Sequence, residues 1–336
     1  MIRIAVDANG GDYGVNTTVP AAMEAVSKYK DIEIVLYGDE EKIRPLLTNS
    51  ERITVVHTAV TMDMGEHDPM NAVRKKKDSS LCMAMYAAKN KEVDGVVTSG
   101  PTQCVIMGAH LIIRRLKQMD RVALCPIIPN FDGHPRLLLD VGANLELRPE
   151  HYGQLAIFAT ITAREVLGIK DPKVGMLNIG SEEAKGRPID VETHQYLKTL
   201  KGINFYGNVE PNEVINSPTD IVLSDGYCGN ICLKTLEGTA KTMGRMLKDE
   251  IKASLGGKIG YLFMRKNLKK FSARMDAKKV GGAMILGVGT PVVKAHGSAD
   301  APTFASAIRQ VREMVSKNII EKVVNALPEK EGAQNA

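Results

Sequence analysis

Four times in this chain a short apolar run, rich in β-branched residues, stops at a polar turn broken by glycine. The four are IRIAVDANGGDYG from Ile2, VDGVVTSGPTQ from Val93, KVGMLNIGSEEAKG from Lys173 and AMILGVGTPVVKAHGSADAP from Ala283. Helical patterns follow most of them. Thr17–Tyr29 carries Pro20 in its first turn, where proline is tolerated. Ser80–Ala88 follows Asp78 and Ser79, both capping types. Glu150–Leu167 stops at Gly168, and Phe304–Leu327 keeps apolar residues three and four apart. Strands alternating with helices predict βαβ units: a three-layer α/β/α, doubly wound, mainly parallel sheet. In such a sheet the strand-to-helix turns emerge on one rim, and ligands bind outside the carboxyl ends of the strands.

A fifth stretch, IVLSDGYCGNICLKTLEG (Ile221–Gly238), has the same grammar. Ile221–Leu223 suit a buried strand and Leu233 onward a helix. Between them Ser224–Asn230 reads as a polar turn holding Asp225, Gly229 and Asn230, with Lys234 just beyond. Glycines let backbone N–H groups approach a ligand, and helix N-termini add partial positive charge, so such turns suit a small anion such as phosphate. For any one of them plain backbone geometry is the commoner explanation; the accompanying Lys185, Lys234, Asn230 and His296 weaken it. The strict dinucleotide pattern G-x-G-x-x-G is absent, because Gly287-Val-Gly289 runs into Thr290, Pro291 and Val292. Gly202–Gly207 has P-loop spacing, but Asn208 follows where lysine is needed.

The five cysteines, Cys82, Cys104, Cys125, Cys228 and Cys232, form no C-x-x-C pair and are expected as reduced core thiols, with no metal. No apolar run reaches the roughly 18 residues of a membrane span. Met1-Ile-Arg-Ile enters a strand pattern directly, so no signal peptide is expected. The net charge of +5 is local. Residues 251–279 hold nine of the 44 basic residues but one of the 39 acidic ones, leaving 35 against 38, or −3, elsewhere. Within them Met264, Leu268, Phe271 and Met275 fall on one helical stripe flanked by Arg265, Lys266, Lys269, Lys270 and Arg274, with Tyr261, Leu262 and Phe263 extending its apolar end. Such a basic amphipathic helix fits an anionic membrane surface, through Leu262, Phe263, Lys266, Leu268, Lys269 and Phe271, or packs on a core or a second copy. Gly256 and Gly257 favour a projecting arm. A second basic run, Arg74, Lys75, Lys76 and Lys77, precedes Asp78, Ser79 and Ser80; it is either solvated surface or a rim that receives an acidic partner or phosphate.

The motifs AVDANGGD (Ala5–Asp12), RKKKDSS (Arg74–Ser80), LLDVGAN (Leu138–Asn144), LNIGSEEAKG (Leu177–Gly186), FYGNVE (Phe205–Glu210), DGYCGNICLKTLEG (Asp225–Gly238), GGAMILGV (Gly281–Val288) and AHGS (Ala295–Ser298) run in order along almost the whole chain. In them the sequence resembles the PlsX phosphate acyltransferases of bacterial phospholipid synthesis. The resemblance implies a fold similar to isocitrate and isopropylmalate dehydrogenases and to phosphotransacetylase, and a homodimer. It implies acyl transfer from acyl-acyl carrier protein to inorganic phosphate, with no organic cofactor and no nucleic-acid partner. The product passes to a membrane glycerol-3-phosphate acyltransferase. The protein is thus expected in the cytoplasm, touching the membrane peripherally. Two positions depart from the family: Asn9 stands where methionine is usual, and Thr98-Ser-Gly-Pro-Thr-Gln-Cys104 replaces S-A-G-N-T-G-A, Pro101 removing a donor and Gln103 adding bulk.

For that reaction the residues divide by role. A thioester is activated and phosphate is already nucleophilic, so the tasks are to hold phosphate and stabilise the oxyanion. Lys185 is expected to pair with phosphate, Asn230 to donate to the carbonyl oxygen, and His296 to orient phosphate or protonate the leaving thiol. Asp7, Gly10, Gly11, Asp78, Ser79, Ser80, Gly180, Asp225, Gly229, Gly297 and Ser298 are expected to line the phosphate and substrate pocket, and Arg74–Lys77 to receive the acidic carrier protein. Alternatives are a coenzyme-A-using acyltransferase like phosphotransacetylase, and a non-catalytic scaffold. The chain is expected as one domain, 1–336, with 251–279 as its arm.

Overall fold

The computed structural model describes residues 1–128, 134–275 and 281–329, and of 272–275 the helical backbone alone. Its strands are β1 (Ile2–Asp7), β2 (Ile32–Gly38), β3 (Ile53–His57), β4 (Gly95–Thr98), β5 (Ala123–Cys125), β6 (Ile127–Ile128), β7 (Arg136–Leu139), β8 (Lys173–Leu177), β9 (Asn204–Val209), β10 (Ile221–Leu223), β11 (Ala283–Leu286) and β12 (Val292–Lys294). Its helices are α1 (Val15–Lys28), α2 (Glu40–Ile43), α3 (Pro69–Lys75), α4 (Ser80–Lys89), α5 (Thr102–Gly108), α6 (Pro149–Val166), α7 (Pro188–Thr199), α8 (Gly226–Ala253), α9 (Leu255–Met275), α10 (Ala301–Ser316) and α11 (Ile319–Ala326).

The expected mainly parallel α/β/α architecture is present, divided between two sheets. The first runs β3-β2-β1-β4-β12-β11-β5, parallel except where β11 opposes both neighbours. The second runs β6-β7-β10-β8-β9, parallel except at β6. Residues 123–128 belong to both, and backbone bonds from Val141 to Leu124 and from Leu138 to Pro126 join the sheets there. Strands buried on both faces have no reason to alternate apolar with polar. In β1, Ile4 and Val6 enter the core under α1, α6, α10 and α11, while Ala5 enters the core under α3, α4 and α5.

Three helix boundaries differ from the sequence pattern. α8 starts at Gly226, not Leu233, because Asp225 caps it, accepting from Cys228 N at 2.7 Å. α1 starts at Val15, so Pro20 lies inside it rather than in the first turn. The apolar stripe of 304–327 continues through two helices, because Asn318 adopts the left-handed conformation (φ 52°) between α10 and α11.

α8 and α9 leave the sheets together. α8 is 28 residues, about 42 Å, and buries only Gly226, Gly229 and Cys232, all near its start. Ser254 breaks the chain between the helices and caps α9 by accepting from Gly257 N at 2.9 Å. Along their shared side runs a groove of ≈ 710 Å³ lined by Leu247, Ile251, Tyr261, Arg265, Leu268 and Phe271 among others. Of the stripe read from the sequence, Leu268 is half-buried toward α8 while Leu262, Met264 and Phe271 are exposed and Phe263 is 84% exposed. The side chains of Arg274 and Met275, and all of Asp276, Lys278 and Lys279, lie outside the described residues. Among the described residues no helix is long and apolar enough to cross a membrane.

Candidate active site

The polar turns scattered along the sequence meet at the carboxyl ends of the parallel strands, linked pair by pair. Asp12 N donates to Gly297 O at 2.8 Å, joining the turns after β1 and β12. Gly11, at φ 88°, packs so tightly on the turn after β4 that a Cβ would lie 2.7 Å from Ser99 Cβ. Gln103, on the first turn of α5, reaches Gly142 O of the loop after β7 at 3.4 Å. Asn230 lies against the same Gly142, and a Cβ there would lie 3.4 Å from Asn230 Nδ2. Arg187, at the end of the loop after β8, reaches Asp225 at the start of α8 at 2.7 Å. One rim thus carries six of the chain's turns.

Several of the expected site residues build this rim from beneath. Asp7 is buried at the end of β1 and accepts from Ser80 Oγ at 2.5 Å and Thr98 Oγ1 at 2.7 Å. Burial pushes its carboxyl above the usual carboxylate range, and the bonds from Ser80 and Thr98 oppose that rise. Ser79, also buried, caps α4 by accepting from Cys82 N and gives its proton to Lys76 O at 2.8 Å. Asp78 is exposed, and its carbonyl accepts from Thr58 Oγ1. Asp225 divides its oxygens between Cys228 N and Arg187, and Arg187 also holds Asp190 at 2.9 Å. The side chains of Asp7, Ser79, Ser80 and Asp225, expected to touch a ligand, are therefore engaged within the protein. In the sequence, polar residues at turns have one appearance whether they face inward or outward.

The glycines divide similarly. Gly229 N donates to Asp225 O at 2.9 Å inside α8, and Gly10 N to Asp7 O at 3.4 Å. Gly229 is glycine because a Cβ would overlap the carbonyl oxygen of Asp140, and Gly226 because one would overlap that of Asn144. Asp140 in turn is buried and organises its loop: it accepts from the amides of Leu124, Gly142, Ala143 and Asn144. At Gly180 a Cβ would lie 2.9 Å from Lys185 Cγ, within the loop after β8. Gly11 and Gly297 remain on the open side, half-buried.

The polar groups that face outward are fewer. Asn230 is exposed on the first turn of α8. His296 is exposed beyond β12; its Nδ1 accepts from Ser298 N at 3.2 Å, which leaves Nε2 to carry the proton of a neutral ring. Lys185 is exposed and lies 3.8 Å from Glu182. Lys234 pairs with Glu237 at 2.9 Å. His57, at the far edge of the first sheet, accepts from Glu40 N. In the basic run Arg74, Lys75 and Lys77 are exposed, whereas Lys76 is half-buried and 3.5 Å from Glu66. The two departures both act as ties: Asn9 accepts from Asp39 N and donates to Thr58 O, and Gln103 bridges to the Gly142 loop. Pro101 stands at the cap of α5, where no helical N–H is lost.

Sequence reasoning missed three residues: Arg187 and Asp140, which hold the α8 start, and Lys294. Lys294 ends β12 in register with Thr98 and is largely buried. Burial pushes its ammonium down to about 8, Lys234 adds to that fall and Asp12 opposes it. Its only sequence signal is its place at a strand end, the place that Asp7 and Thr98 hold in their strands. The described cysteines are unpaired, and among the described residues no cluster of three or more His, Cys, Asp or Glu is placed to hold a metal ion.

A family model described as "Fatty acid synthesis protein" matches residues 2–322. The chain is 46% identical over 329 residues to a phosphate acyltransferase of Acholeplasma laidlawii, covering 97% of this chain and 98% of that one. To a phosphate acyltransferase of Streptococcus suis it is 41% identical, covering 96% and 97%. Among solved structures it is similar to a phosphotransacetylase from Streptococcus pyogenes, with a TM-score of 0.61 and 16% identity over 94% of each chain, a likeness of fold.

Proposed function

This chain belongs to the fatty acid synthesis protein family of phosphate acyltransferases, and we propose that it transfers a fatty acyl group from acyl-acyl carrier protein to inorganic phosphate. The observation that carries the site assignment is the convergence of six turns on one rim, where Asn230 is exposed and the glycines Gly11 and Gly297 lie on the open side. A phosphate oxygen attacks the thioester carbonyl, the C–O bond forms, and the carbonyl electrons move onto oxygen. When they return, the C–S bond breaks and the carrier's thiolate leaves. Asn230 donates to that oxygen, Lys185 supplies a mobile outer cation, and His296 donates a hydrogen bond through Nε2 to the departing thiolate, which takes its proton from water. Asp7, Ser79, Ser80, Asp140, Asp225 and Arg187 hold the turns in place, so no donor must reorganise as charge develops.

The exposed Arg74, Lys75 and Lys77 are the proposed receiving surface for the acidic carrier protein, acting by electrostatic steering that salt weakens. Lys76 is left out of that role because Glu66 already holds it. The body is taken as one domain with α8 and α9 as its arm, and the protein as a homodimer. The arm presents Leu262, Phe263 and Phe271 with Lys266 and Lys269 to an anionic membrane surface, each cation worth about 1 kcal/mol there. Acyl phosphate is reactive, so making it in the cytoplasm against the membrane delivers it directly to the glycerol-3-phosphate acyltransferase.

Purified protein should release acyl phosphate from the carrier-protein thioester much faster than from the coenzyme A thioester. Reversing charge at Lys75 and Lys77 should raise KM for the former at low salt and leave the latter unchanged. Equal use of both donors would make this a phosphotransacetylase-like enzyme instead.

A further inference from the structure

Lys294 is a largely buried cation with no ion-pair partner within 4 Å among the described residues. Its Nζ gives one hydrogen bond, to Ala295 O at 3.1 Å, and no carboxylate among the described residues lies within 4 Å of it. An ammonium has three protons to donate, and an uncompensated buried charge is costly. Its position is specific. β1, β4 and β12 are neighbours in the first sheet, and Asp7, Thr98 and Lys294 are their last residues, on the face that α3, α4 and α5 cover. Asp7 is already satisfied by Ser80 and Thr98, so it does not serve as the partner of Lys294. The neighbouring charged groups are Asp12 on the turn after β1 and Lys234 on α8. They act in opposite senses.

The turn after β4, the strand paired with β12, holds a second unsatisfied group. Ser99 is 3% exposed, and its Oγ has no hydrogen-bond partner. A buried hydroxyl without a partner costs roughly 1–3 kcal/mol. Ser99 packs on Gly11, and Gly11 packs on Gly297, where a Cβ on Gly11 would lie 3.0 Å from Gly297 O. The amides of Gly11 and Gly297 donate to no group among the described residues. An unpartnered hydroxyl and two unused amides thus meet where the turns after β1, β4 and β12 come together, and the largely buried Lys294 stands three residues before Gly297 at the end of β12.

We propose that Lys294, with Ser99 and the Gly11 and Gly297 amides, is the inner subsite for the acceptor phosphate. The inference rests on the acyltransferase reading and deepens it. Lys294 is the counter-charge of the bound dianion and fixes it for attack, while exposed Lys185 meets it from outside. The Ser99 hydroxyl reaches the anion by rotating about χ1 from its present dry position, a change between staggered wells. The bound anion stabilises the charged amine, so it offsets the burial that now depresses the proton affinity of Lys294. Phosphate therefore binds best below the point at which Lys294 loses its proton, and more weakly as pH rises through about 8.

The test uses the full chain with two varied substrates. Lys294→Met, a neutral chain of similar size, should raise KM for phosphate roughly 10- to 100-fold, the worth of a hydrogen bond to a charged group, with donor KM unchanged. Ser99→Ala should raise phosphate KM by a smaller factor. Wild-type phosphate KM should rise above pH 8, and Lys294→Arg, charged throughout, should lose that rise. Millimolar inorganic phosphate should raise the Tm of wild type but not of Lys294→Met. An unaltered phosphate KM and an unaltered Tm response in Lys294→Met overturn the subsite while wild-type turnover keeps the acyltransferase reading. A wild type that makes no acyl phosphate, yet shows a Tm response lost in Lys294→Met, keeps the subsite and overturns that reading. If Lys294→Met does not fold, the pH profile of Lys294→Arg decides: an alkaline rise in KM like that of wild type overturns the proposal.

Discussion

One helix, α8, has two surroundings. Its first turns are wedged between the loop after β7 and the strands: Gly226 and Gly229 touch the backbone of Asn144 and Asp140, and Asp225 caps the helix, pairs with Arg187 and is buried. Further on, a Cβ at Gly238 or Gly244 would meet nothing within 4 Å outside its own helix among the described residues, and Met243 and Met246 are exposed. The same residue type is required by contact at one end and tolerated by emptiness at the other. The difference separates two tasks. A donor that must not move in the reaction sits where packing fixes it, whereas a surface that must meet a partner stands off the body with its apolar side chains uncovered.

That contrast can be broken at four points, in falling order of effect. Asn230→Ala should keep the fold and lose roughly 100- to 1,000-fold in kcat, as removal of an oxyanion donor does; near-normal kcat in a folded variant returns this turn to a packing role. Gly229→Ala forces a Cβ into the Asp140 carbonyl, and thermal unfolding should show a loss of about 3 kcal/mol, the upper part of the overpacking range. At the other end, Lys269→Glu should weaken sedimentation with anionic vesicles at low salt by about 2 kcal/mol, one attraction lost and one repulsion gained. Its turnover in solution should match wild type, because among the described residues α9 packs chiefly on α8. Gly244→Ala should raise stability by roughly 0.4–1 kcal/mol, since an exposed helical glycine gives way to a better helix former. Destabilisation there would mean that a partner covers this face.

The sequence disclosed much of the body and less of the site. Strand ends were legible because a glycine turn is a local event, as after Asp7, Thr98 and Leu177. The start of α8 was not, because Gly226 and Gly229 read as turn residues; their need is for close approach to residues more than eighty positions away. The join between α10 and α11 was hidden because the apolar stripe runs through Asn318 unbroken. Asp7, Ser80 and Asp225 carried the polar chemistry of a binding site, yet direct it inward. Whether a carboxylate is bonded beneath a rim or open above it depends on distant partners such as Thr98 and Arg187. Lys294 gave almost no signal, since a lone lysine after two valines is ordinary surface until the sheet buries it.

The central claim is that this rim moves an acyl group onto phosphate. The direct test follows the phosphorus NMR spectrum of purified wild-type protein with acyl-acyl carrier protein and inorganic phosphate. Thioester loss should require phosphate and be matched one for one by a growing acyl phosphate signal. Thioester loss at the same rate without phosphate, or no loss in its presence, would contradict the account.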